Sequence, residues 1–251
     1  MPYKVLKGGI DVLSPKLARI IEILPVPIAS YLCKKALNSY LNKYANISVQ
    51  GIDELKNVQK PIIFICNHLS NSDGLVLNKI LNVSNNFDVT FVAGIKLNHD
   101  VITKLGTYCV KTTPIKPNTA DKEGLSKIIK ILKSNNSILI FPEGGRSRTG
   151  AMREATKGLS LIAKLSGAII VPIGINGSEK LMPINKEGDM YKEDFQYADV
   201  EVKIGKAFYL DKKAKDENRK DYEKRVVDEA MYRIAELLPE KYRGAYSKEC
   251  M

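Results

Sequence analysis

From residue 46 onward, short apolar runs alternate with stretches in which apolar residues recur at the spacing of a helix. The runs are typical of buried strands and comprise residues 62–66, 89–93, 108–110, 138–141, 168–175 and 200–210. Helices are predicted around residues 125–132, 159–165 and 216–238. Strands that alternate with helices predict an α/β fold, in which a mostly parallel sheet is flanked by helices on both faces.

Residues 1–45 carry a different pattern, that of two short amphipathic helices separated by Pro25 and Pro27. The segment holds seven basic residues against two acidic ones, a net charge of +5. Basic, apolar-striped helices suit the membrane interface. The alternative is a helical hairpin that packs on the main domain with its lysines in water. We therefore divide the chain into an N-terminal membrane-surface segment, 1–45, and an α/β domain, 46–251.

The overall charge points to an anionic partner. The 251 residues include 39 Lys and Arg against 28 Asp and Glu, which gives a formal charge of +11. Nucleic acid, an acidic protein, a phosphorylated small molecule or an anionic membrane would each match such a charge. Nucleic acid is the least favoured, because the chain has no Trp, only 6 Phe and scattered Tyr residues, and so shows no base-stacking platform.

The cysteines and the longest apolar runs indicate a protein of a reducing compartment that does not span a membrane. Cys33, Cys66, Cys109 and Cys250 are not spaced as metal-ligand pairs and are expected to be free thiols, although an even number of cysteines would also allow disulfides. No uncharged apolar run reaches the roughly 18–20 residues that cross a bilayer. No signal peptide with a small-residue cleavage site is visible.

His68 and Asp73 stand five positions apart, directly after the apolar run 62–66. The end of a strand is where sites form in α/β sheets. Five residues turn a regular helix by about 500°, so the two side chains would diverge within one helix. They can meet if His68 precedes a helix and Asp73 lies in its first turns. Asp73 could then hold one ring nitrogen while the other takes a proton from a hydroxyl. The alternative is a histidine bonded to local backbone, with Asp73 capping the helix.

A second polar segment follows the run 138–141. It contains Pro142, Glu143, Gly144, Gly145, Arg146, Ser147 and Arg148. Glycines allow positive φ and a close approach of the backbone, and their N–H groups together with two guanidinium groups can form a phosphate nest. The alternative is a flexible basic turn on the surface.

Three blocks of the sequence, in this order, resemble the glycerolipid acyltransferase family, and most closely its 1-acyl-glycerol-3-phosphate acyltransferases. Asn67, His68 and Asp73 are similar to the N-H-x-x-x-x-D block of that family. Residues 141–147 (F-P-E-G-G-R-S) are similar to its F-P-E-G-x-R-S block, and residues 171–175 (V-P-I-G-I) to its late V-P-I/V strand. The resemblance covers roughly residues 46–210 and implies that the α/β domain is an acyltransferase domain.

The resemblance implies roles for the residues of the first block. His68 is expected to deprotonate the acceptor hydroxyl as general base, and Asp73 is expected to orient the imidazole. Attack on the acyl thioester is then direct, with no covalent acyl-enzyme. Neither a metal nor a redox cofactor is expected, because a thioester is already activated. Cys66 is expected to pack as a small hydrophobic residue rather than act as a nucleophile.

The substrate-binding residues that the resemblance implies are Lys111, Glu143, Gly144, Arg146 and Arg148. Glu143 and Arg146 are expected to bind the acceptor head group, and Gly144 to shape the turn. Lys111, Arg146 and Arg148 are expected to face a substrate phosphate. Lys111 stands where the family more often has arginine, and a lysine cannot chelate phosphate in the bidentate way that arginine does. Gly145 stands where threonine is frequent.

The expected function is therefore an enzymatic one. An acyl group would pass from acyl carrier protein or from a coenzyme A thioester to the free sn-2 hydroxyl of 1-acyl-glycerol-3-phosphate, a lysophospholipid, which makes phosphatidic acid for phospholipid biosynthesis. The alternatives are another acceptor, such as glycerol-3-phosphate or another lysolipid, and a non-catalytic membrane lipid-binding protein. The expected location is the cytoplasmic face of the cell membrane, as a peripheral protein on an anionic lipid surface.

Overall fold

The computed structural model describes residues 23–85, 87–94, 108–117, 119–156, 158–185 and 193–247. Most of the first of the two predicted N-terminal helices, and Cys250, lie outside these described residues. In the described residues the chain forms seven strands: β1 (Ala45–Gln50), β2 (Ile62–Cys66), β3 (Val89–Gly94), β4 (Thr112–Ile115), β5 (Ser137–Ile140), β6 (Ile169–Asn176) and β7 (Ala198–Ile204).

The α-helices of the described residues are α1 (Val26–Tyr44), α2 (Ser72–Asn78), α3 (Lys122–Lys133), α4 (Gly158–Ser166), α5 (Ser178–Leu181) and α6 (Arg219–Glu236). A π-helical segment, Lys79–Ser84, extends α2. Asp121 starts α3 by accepting a hydrogen bond from the Gly124 N–H, and Asn218 starts α6 by accepting one from the Asp221 N–H. Such side-chain caps satisfy N–H groups that the first turn of a helix leaves unbonded.

The strands form one sheet in the order β1-β7-β6-β2-β5-β3-β4. The pairs β6–β2, β2–β5, β5–β3 and β3–β4 are parallel. Only β7 breaks this pattern by pairing antiparallel with β6, and β1 runs parallel to β7. The prediction of a mostly parallel α/β sheet flanked by helices is therefore confirmed.

Each face of the sheet carries its own hydrophobic cluster, because successive residues of a strand point to opposite faces. In β2, Ile62, Phe64 and Cys66 belong to one cluster, whereas Ile63 and Ile65 belong to the other. Helices α1 and α2 contribute buried residues to the first cluster, and α3, α4 and α6 contribute to the second. Since both faces of β2 are covered, all five of its residues are buried, which explains its continuous apolar sequence.

Three element predictions differ from the structure. Tyr108 and Cys109 are not in a strand, and the strand lies instead at β4, whose exposed Thr112 and Pro114 gave no apolar signal. The run 200–210 ends as a strand at Ile204, after which only Phe208 pairs with the sheet, at Ile170. Strand β1 was not predicted, because it lies at the edge of the sheet and most of its residues are exposed.

Helix α1 packs on the sheet through one side and leaves apolar side chains on the surface. Ala29, Cys33 and Leu41 are buried in the first cluster, and the Ser30 hydroxyl donates to the Tyr108 carbonyl at 2.9 Å. The exposed apolar residues of its amino-terminal half are Val26, Ile28, Tyr31 and Leu32, and Ile23 just before the helix is exposed as well. In the described part of the chain, no helix combines the length and apolar character required to cross a membrane.

Candidate active site

The two predicted polar loops meet at one edge of the sheet. Strand β2 ends at Cys66 and is followed by residues 67–73, while β5 ends at Ile140 and is followed by residues 141–150. The two strands are parallel neighbours, with Ile65 in register with Ile140. Their carboxyl ends therefore lie side by side, which is the position where parallel α/β sheets form sites.

His68 and Asp73 are in direct contact, as the sequence predicts. His68 lies in the loop after β2, and Asp73 is in the first turn of α2. The His68 Nδ1 atom is 2.8 Å from Asp73 Oδ2. The same oxygen accepts hydrogen bonds from the N–H groups of Leu69 at 2.7 Å and Ser70 at 2.9 Å. With these three donors around one oxygen, the fully buried carboxylate of Asp73 is fixed and holds the imidazole in one orientation.

The opposite ring nitrogen of His68 is the one available to a substrate. Because Asp73 receives the hydrogen at Nδ1, the Nε2 atom of the neutral ring carries the lone pair. Among the residues that the structure describes, Nε2 has no hydrogen-bond partner, and 18% of the side chain is exposed. The Phe141 ring stacks on the imidazole, with 4.0 Å between centroids and an interplanar angle of 14°. An imidazole held on one side by a carboxylate and on its face by an aromatic ring can serve as a general base.

Asn67 ties the first loop to β6. Its Nδ2 donates to the Ile175 carbonyl at 2.8 Å, and its Oδ1 accepts from the Ile175 N–H at 2.9 Å. A buried side-chain amide thus continues the pairing of β2 with β6 beyond the end of β2, where the backbone turns away toward His68. The Ser70 hydroxyl adds a second tie, since it donates to the Met182 carbonyl at 2.7 Å.

Glu143 is turned inward, which corrects the prediction that it contacts an acceptor head group. Its Oε1 accepts from the His68 N–H and its Oε2 from the Arg153 N–H, both at 2.9 Å. Burial raises the pKa of Glu143 to about 7, although both N–H donors act to lower it. The carboxyl group is occupied on both oxygens by backbone and fixes the peptide that carries the histidine.

The turn after Glu143 requires the glycine that the sequence predicts to shape it. Gly144 has a φ of 69°, in the left-handed region that L side chains rarely adopt. A Cβ at this position would also lie 3.0 Å from the Thr156 side chain. Beyond the turn, the Ser147 N–H donates to the His68 carbonyl at 2.8 Å. The N–H and the carbonyl of His68 are therefore both bonded to the second loop.

The two arginines of the second loop lie in different environments. The Arg146 side chain is only 15% exposed and contacts the buried carboxylate of Glu193, with Nη1 2.7 Å from Oε1 and 2.8 Å from Oε2. Arg148 is exposed and has no partner among the described residues. Both arginines lie in the loop after β5, as Glu143 does. The guanidinium of Arg148 is at the surface of this loop, and that of Arg146 lies just below it.

The structure does not bring Lys111 into this cluster, contrary to the prediction. Its Nζ is 2.9 Å from both carboxylate oxygens of Asp88, and both side chains are more than half exposed. Lys111 precedes Thr112, which lies level with Phe64 in the middle of β2. Lys111 is thus five positions behind His68 along the strand direction, about 16 Å at 3.3 Å per residue. We therefore remove it from the candidate site.

The described cysteines are free thiols, and Cys66 is not a candidate nucleophile. Cys66 is completely buried, and burial raises its pKa well above the usual range for a thiol. Burial also raises the pKa of Cys109 to about 12. A thiol that stays protonated is a poor nucleophile. Within the described residues, no group of three or more His, Cys, Asp or Glu side chains is placed to hold a metal ion.

Sequence reasoning missed one charged residue of the site. Glu193 stands in a stretch of mixed polar residues with no motif around it, 47 positions after Arg146. Its Oε2 also accepts from the Asn71 amide at 2.7 Å. No periodicity or spacing in the sequence connects Glu193 with either loop. The roles of Asn67 and Phe141 were missed as well, although both belong to the blocks that drew attention to the site.

Comparison with known proteins assigns these loops to an enzyme family. A family model described as Acyltransferase matches residues 46–176, which include both loops. The chloroplastic 1-acyl-sn-glycerol-3-phosphate acyltransferase LPAT1 of Arabidopsis thaliana is 26% identical over 145 residues, which are 58% of this chain and 40% of that protein. A glycerol-3-phosphate acyltransferase of Xanthomonas axonopodis is 31% identical over 165 residues, which are 60% of this chain and 18% of that protein. The chain thus spans about half or less of the length of these curated relatives.

The fold has a counterpart among solved structures. The crystal structure of the 1-acyl-sn-glycerophosphate acyltransferase PlsC from Thermotoga maritima superposes with a TM-score of 0.54 and 19% sequence identity. The match covers 87% of this chain and 86% of that chain. At this identity the likeness concerns the fold, and it extends over most of the chain, beyond the residues that the family model matches.

Proposed function

This chain belongs to the acyltransferase family, and on that premise we propose that it transfers an acyl group from a thioester to the free sn-2 hydroxyl of 1-acyl-glycerol-3-phosphate. The observation that carries the proposal is the 2.8 Å contact between His68 Nδ1 and Asp73 Oδ2, which leaves Nε2 free to accept a proton. The product is phosphatidic acid, and the class of reaction belongs to phospholipid biosynthesis.

The reaction balances with the groups of this site. His68 Nε2 takes the proton of the acceptor hydroxyl while that oxygen attacks the thioester carbonyl carbon. The C–S bond of the resulting tetrahedral species breaks, and the leaving thiolate takes the proton back from the imidazolium. An ester and a free thiol result. Because the thioester is already activated, no metal or redox cofactor is needed, and the site contributes mainly a positioned base.

The acyl donor in this proposal is acyl carrier protein or coenzyme A. Both are anionic, which agrees with the formal charge of +11. The exposed Arg148 in the loop after β5 is suited to a phosphate of the acceptor or of the donor. The lysophospholipid acceptor is supported by the names of two plant relatives, both called 1-acyl-sn-glycerol-3-phosphate acyltransferase.

Glycerol-3-phosphate is a second candidate acceptor. A relative named glycerol-3-phosphate acyltransferase is 31% identical over 165 residues, a higher identity than that of the Arabidopsis protein. Both acceptors present a hydroxyl to the base and a phosphate to the arginines. The two differ in the acyl chain that the lysophospholipid already carries.

A transfer assay with several acceptors separates these candidates. We expect the full chain to acylate 1-acyl-glycerol-3-phosphate faster than glycerol-3-phosphate, and to acylate 1-acyl-glycerol at least about tenfold more slowly because this acceptor lacks the phosphate. Each acceptor is paired with acyl-coenzyme A and with acyl carrier protein, and the products are identified by mass spectrometry. Faster acylation of glycerol-3-phosphate would favour the second candidate, and no product with any pair would refute both.

We also propose that α1 holds the enzyme on the membrane surface, at the cytoplasmic face where the thioester donors are found. Its exposed apolar residues point away from the sheet, and Lys34 and Lys35 are exposed on the same helix. Such a helix can insert its apolar side chains among lipid tails while its lysines contact anionic head groups.

Charged substitutions on α1 test this second proposal. Ile28→Glu together with Tyr31→Glu is expected to weaken binding to vesicles of anionic lipid by about tenfold or more, because two carboxylates replace inserted apolar groups. Binding is measured by cosedimentation with vesicles of anionic and of neutral lipid. These point changes are preferable to deleting residues 1–44, since Ala29 and Leu41 are fully buried in the core and deletion would expose it.

A matched variant controls for the added charge. Leu165→Glu with Tyr209→Glu changes residues that are 46% and 65% exposed, against 49% and 64% for Ile28 and Tyr31. We expect this variant to sediment with vesicles as the parent does. Unchanged sedimentation of the α1 variant, or an equal loss in the control, would contradict a membrane role for α1.

A further inference from the structure

Glu193 is a buried carboxylate outside the three sequence blocks. None of its side chain is exposed. It receives hydrogen bonds from Arg146 Nη1, from the Asn71 amide and, more weakly at 3.4 Å, from the Asn185 N–H. A buried charge is costly unless it is paired and hydrogen-bonded. Both carboxylate oxygens are satisfied here, and the partner charge is that of Arg146.

The contact uses only one nitrogen of the Arg146 guanidinium. Nη1 lies within 2.8 Å of both Glu193 oxygens, whereas Nε and Nη2 have no hydrogen-bond partner among the described residues. These two nitrogens form the side edge of the guanidinium, whose parallel N–H groups match two oxygens of a phosphate. Holding Nη1 therefore restricts the orientation of the group and leaves the Nε–Nη2 edge for an anion.

Glu193 also connects this arginine with the loop of the base. Asn71 lies between His68 and Asp73 in the sequence, and its Nδ2 is 2.7 Å from Glu193 Oε2. The carboxylate thus joins the loop after β2 to the loop after β5 through side chains. This link is separate from the backbone contacts that His68 makes with Glu143 and Ser147.

We propose that Glu193 is a positioning residue that holds the Arg146 guanidinium so that its Nε–Nη2 edge receives the phosphate of the acceptor. The inference rests on the proposed function, because it assigns the phosphate of that acceptor to this edge. A long arginine side chain otherwise loses rotational freedom when it binds an anion. Because Glu193 already holds the Arg146 side chain, less rotational freedom is lost when the phosphate binds. The held arginine also sets the distance between the phosphate and the hydroxyl that His68 deprotonates.

The test is Glu193→Gln in the full chain. Glutamine keeps the shape but offers one oxygen to three donors and removes the charge that holds the guanidinium. We expect the KM for 1-acyl-glycerol-3-phosphate to rise about tenfold, while kcat stays within about threefold and the KM for the thioester does not change. The variant Arg146→Lys is expected to raise the same KM. In that background Glu193→Gln should add little, because the residue acts through the arginine.

Glu217→Gln is the matched control. Glu217 also receives two hydrogen bonds from one arginine, from Arg225 Nε at 2.9 Å and Nη2 at 3.1 Å, and its side chain is 14% exposed. It lies before α6 and is no part of the site. We expect the kinetic constants of the Glu217→Gln variant to equal those of the parent. A lower or unchanged KM for the acceptor in Glu193→Gln, or additive effects with Arg146→Lys, would overturn the inference.

A binding measurement separates this inference from the proposed function. Glycerol 3-phosphate is expected to raise the melting temperature of the parent more than glycerol does, and to raise that of Glu193→Gln less. If the parent transfers no acyl group but this difference is found, the proposed function fails while the role of Glu193 in phosphate binding stands. If the parent is active and the two proteins respond equally to glycerol 3-phosphate, the proposed function stands and the inference fails.

Discussion

Replacing His68 by alanine is expected to lower kcat for acyl transfer by about 10³-fold, since a positioned general base contributes about 10²–10⁴-fold. The loss should be this large because His68 is the only histidine among the described residues, and its imidazole is held by Asp73. Thiol catalysis cannot replace the base, as Cys66 is buried with a pKa well above its usual range. Steady-state kinetics with 1-acyl-glycerol-3-phosphate measure the effect.

The fold should survive this substitution. His68 is anchored through its backbone, whose N–H donates to Glu143 and whose carbonyl accepts from Ser147, and alanine keeps both contacts. Asp73 also keeps the N–H donors of Leu69 and Ser70. We expect an unchanged far-UV circular dichroism spectrum. His99→Ala, at the only other histidine of the chain, serves as the control with the parent rate. Near-normal turnover by His68→Ala would refute the mechanism.

The contact between His68 and Asp73 could be predicted because it is local. Five residues that leave a buried strand and enter a helix have few possible backbone paths, and the path with His68 before the helix and Asp73 in its first turn brings the two side chains together. The prediction that Gly144 shapes its turn had the same basis, since a strand end followed by two glycines implies a backbone with positive φ. Sequence separation within such a loop is short enough for spacing to determine geometry.

The inward position of Glu143 could not be predicted in this way. An acid next to two arginines suggests a polar surface, and the sequence does not say which side chains of a turn point inward. The outcome depends on the backbone N–H groups of His68 and Arg153, which need an acceptor once they are buried. Arg153 lies ten positions further along the chain, where no pattern connects it with Glu143.

Contacts between distant segments were the least predictable. Glu193 reaches Arg146 only because β6 and α5 lie between them and return the chain to the same edge of the sheet. The prediction that Lys111 belongs to the site was wrong for a related reason. The sequence around Lys111 resembles a motif, but the register of β4 places Lys111 level with the early part of β2. The register of an edge strand depends on tertiary packing. An exposed strand such as β4 has no apolar pattern from which that register can be inferred.

Replacing Asp73 by asparagine is expected to lower both the rate and the stability. Asp73 Oδ2 accepts three hydrogen bonds of 2.7–2.9 Å, so the amide oxygen must take this position. The amide nitrogen then replaces Oδ1, which is buried and has no hydrogen-bond partner in the described part of the chain. Two unsatisfied N–H groups there should cost about 1–3 kcal/mol of unfolding free energy. Urea unfolding measures this loss.

The catalytic loss in Asp73→Asn has a separate cause. A neutral amide oxygen holds the Nδ1 hydrogen of His68 less firmly and does not stabilise the imidazolium that forms when Nε2 accepts a proton. We expect kcat to fall by about 10²–10³-fold, with the KM for the acceptor within about threefold. Asp88→Asn, which removes an exposed carboxylate that contacts Lys111, should change neither kcat nor stability. If Asp73→Asn lost stability but kept the parent kcat, its carboxylate would hold the loop without assisting the base.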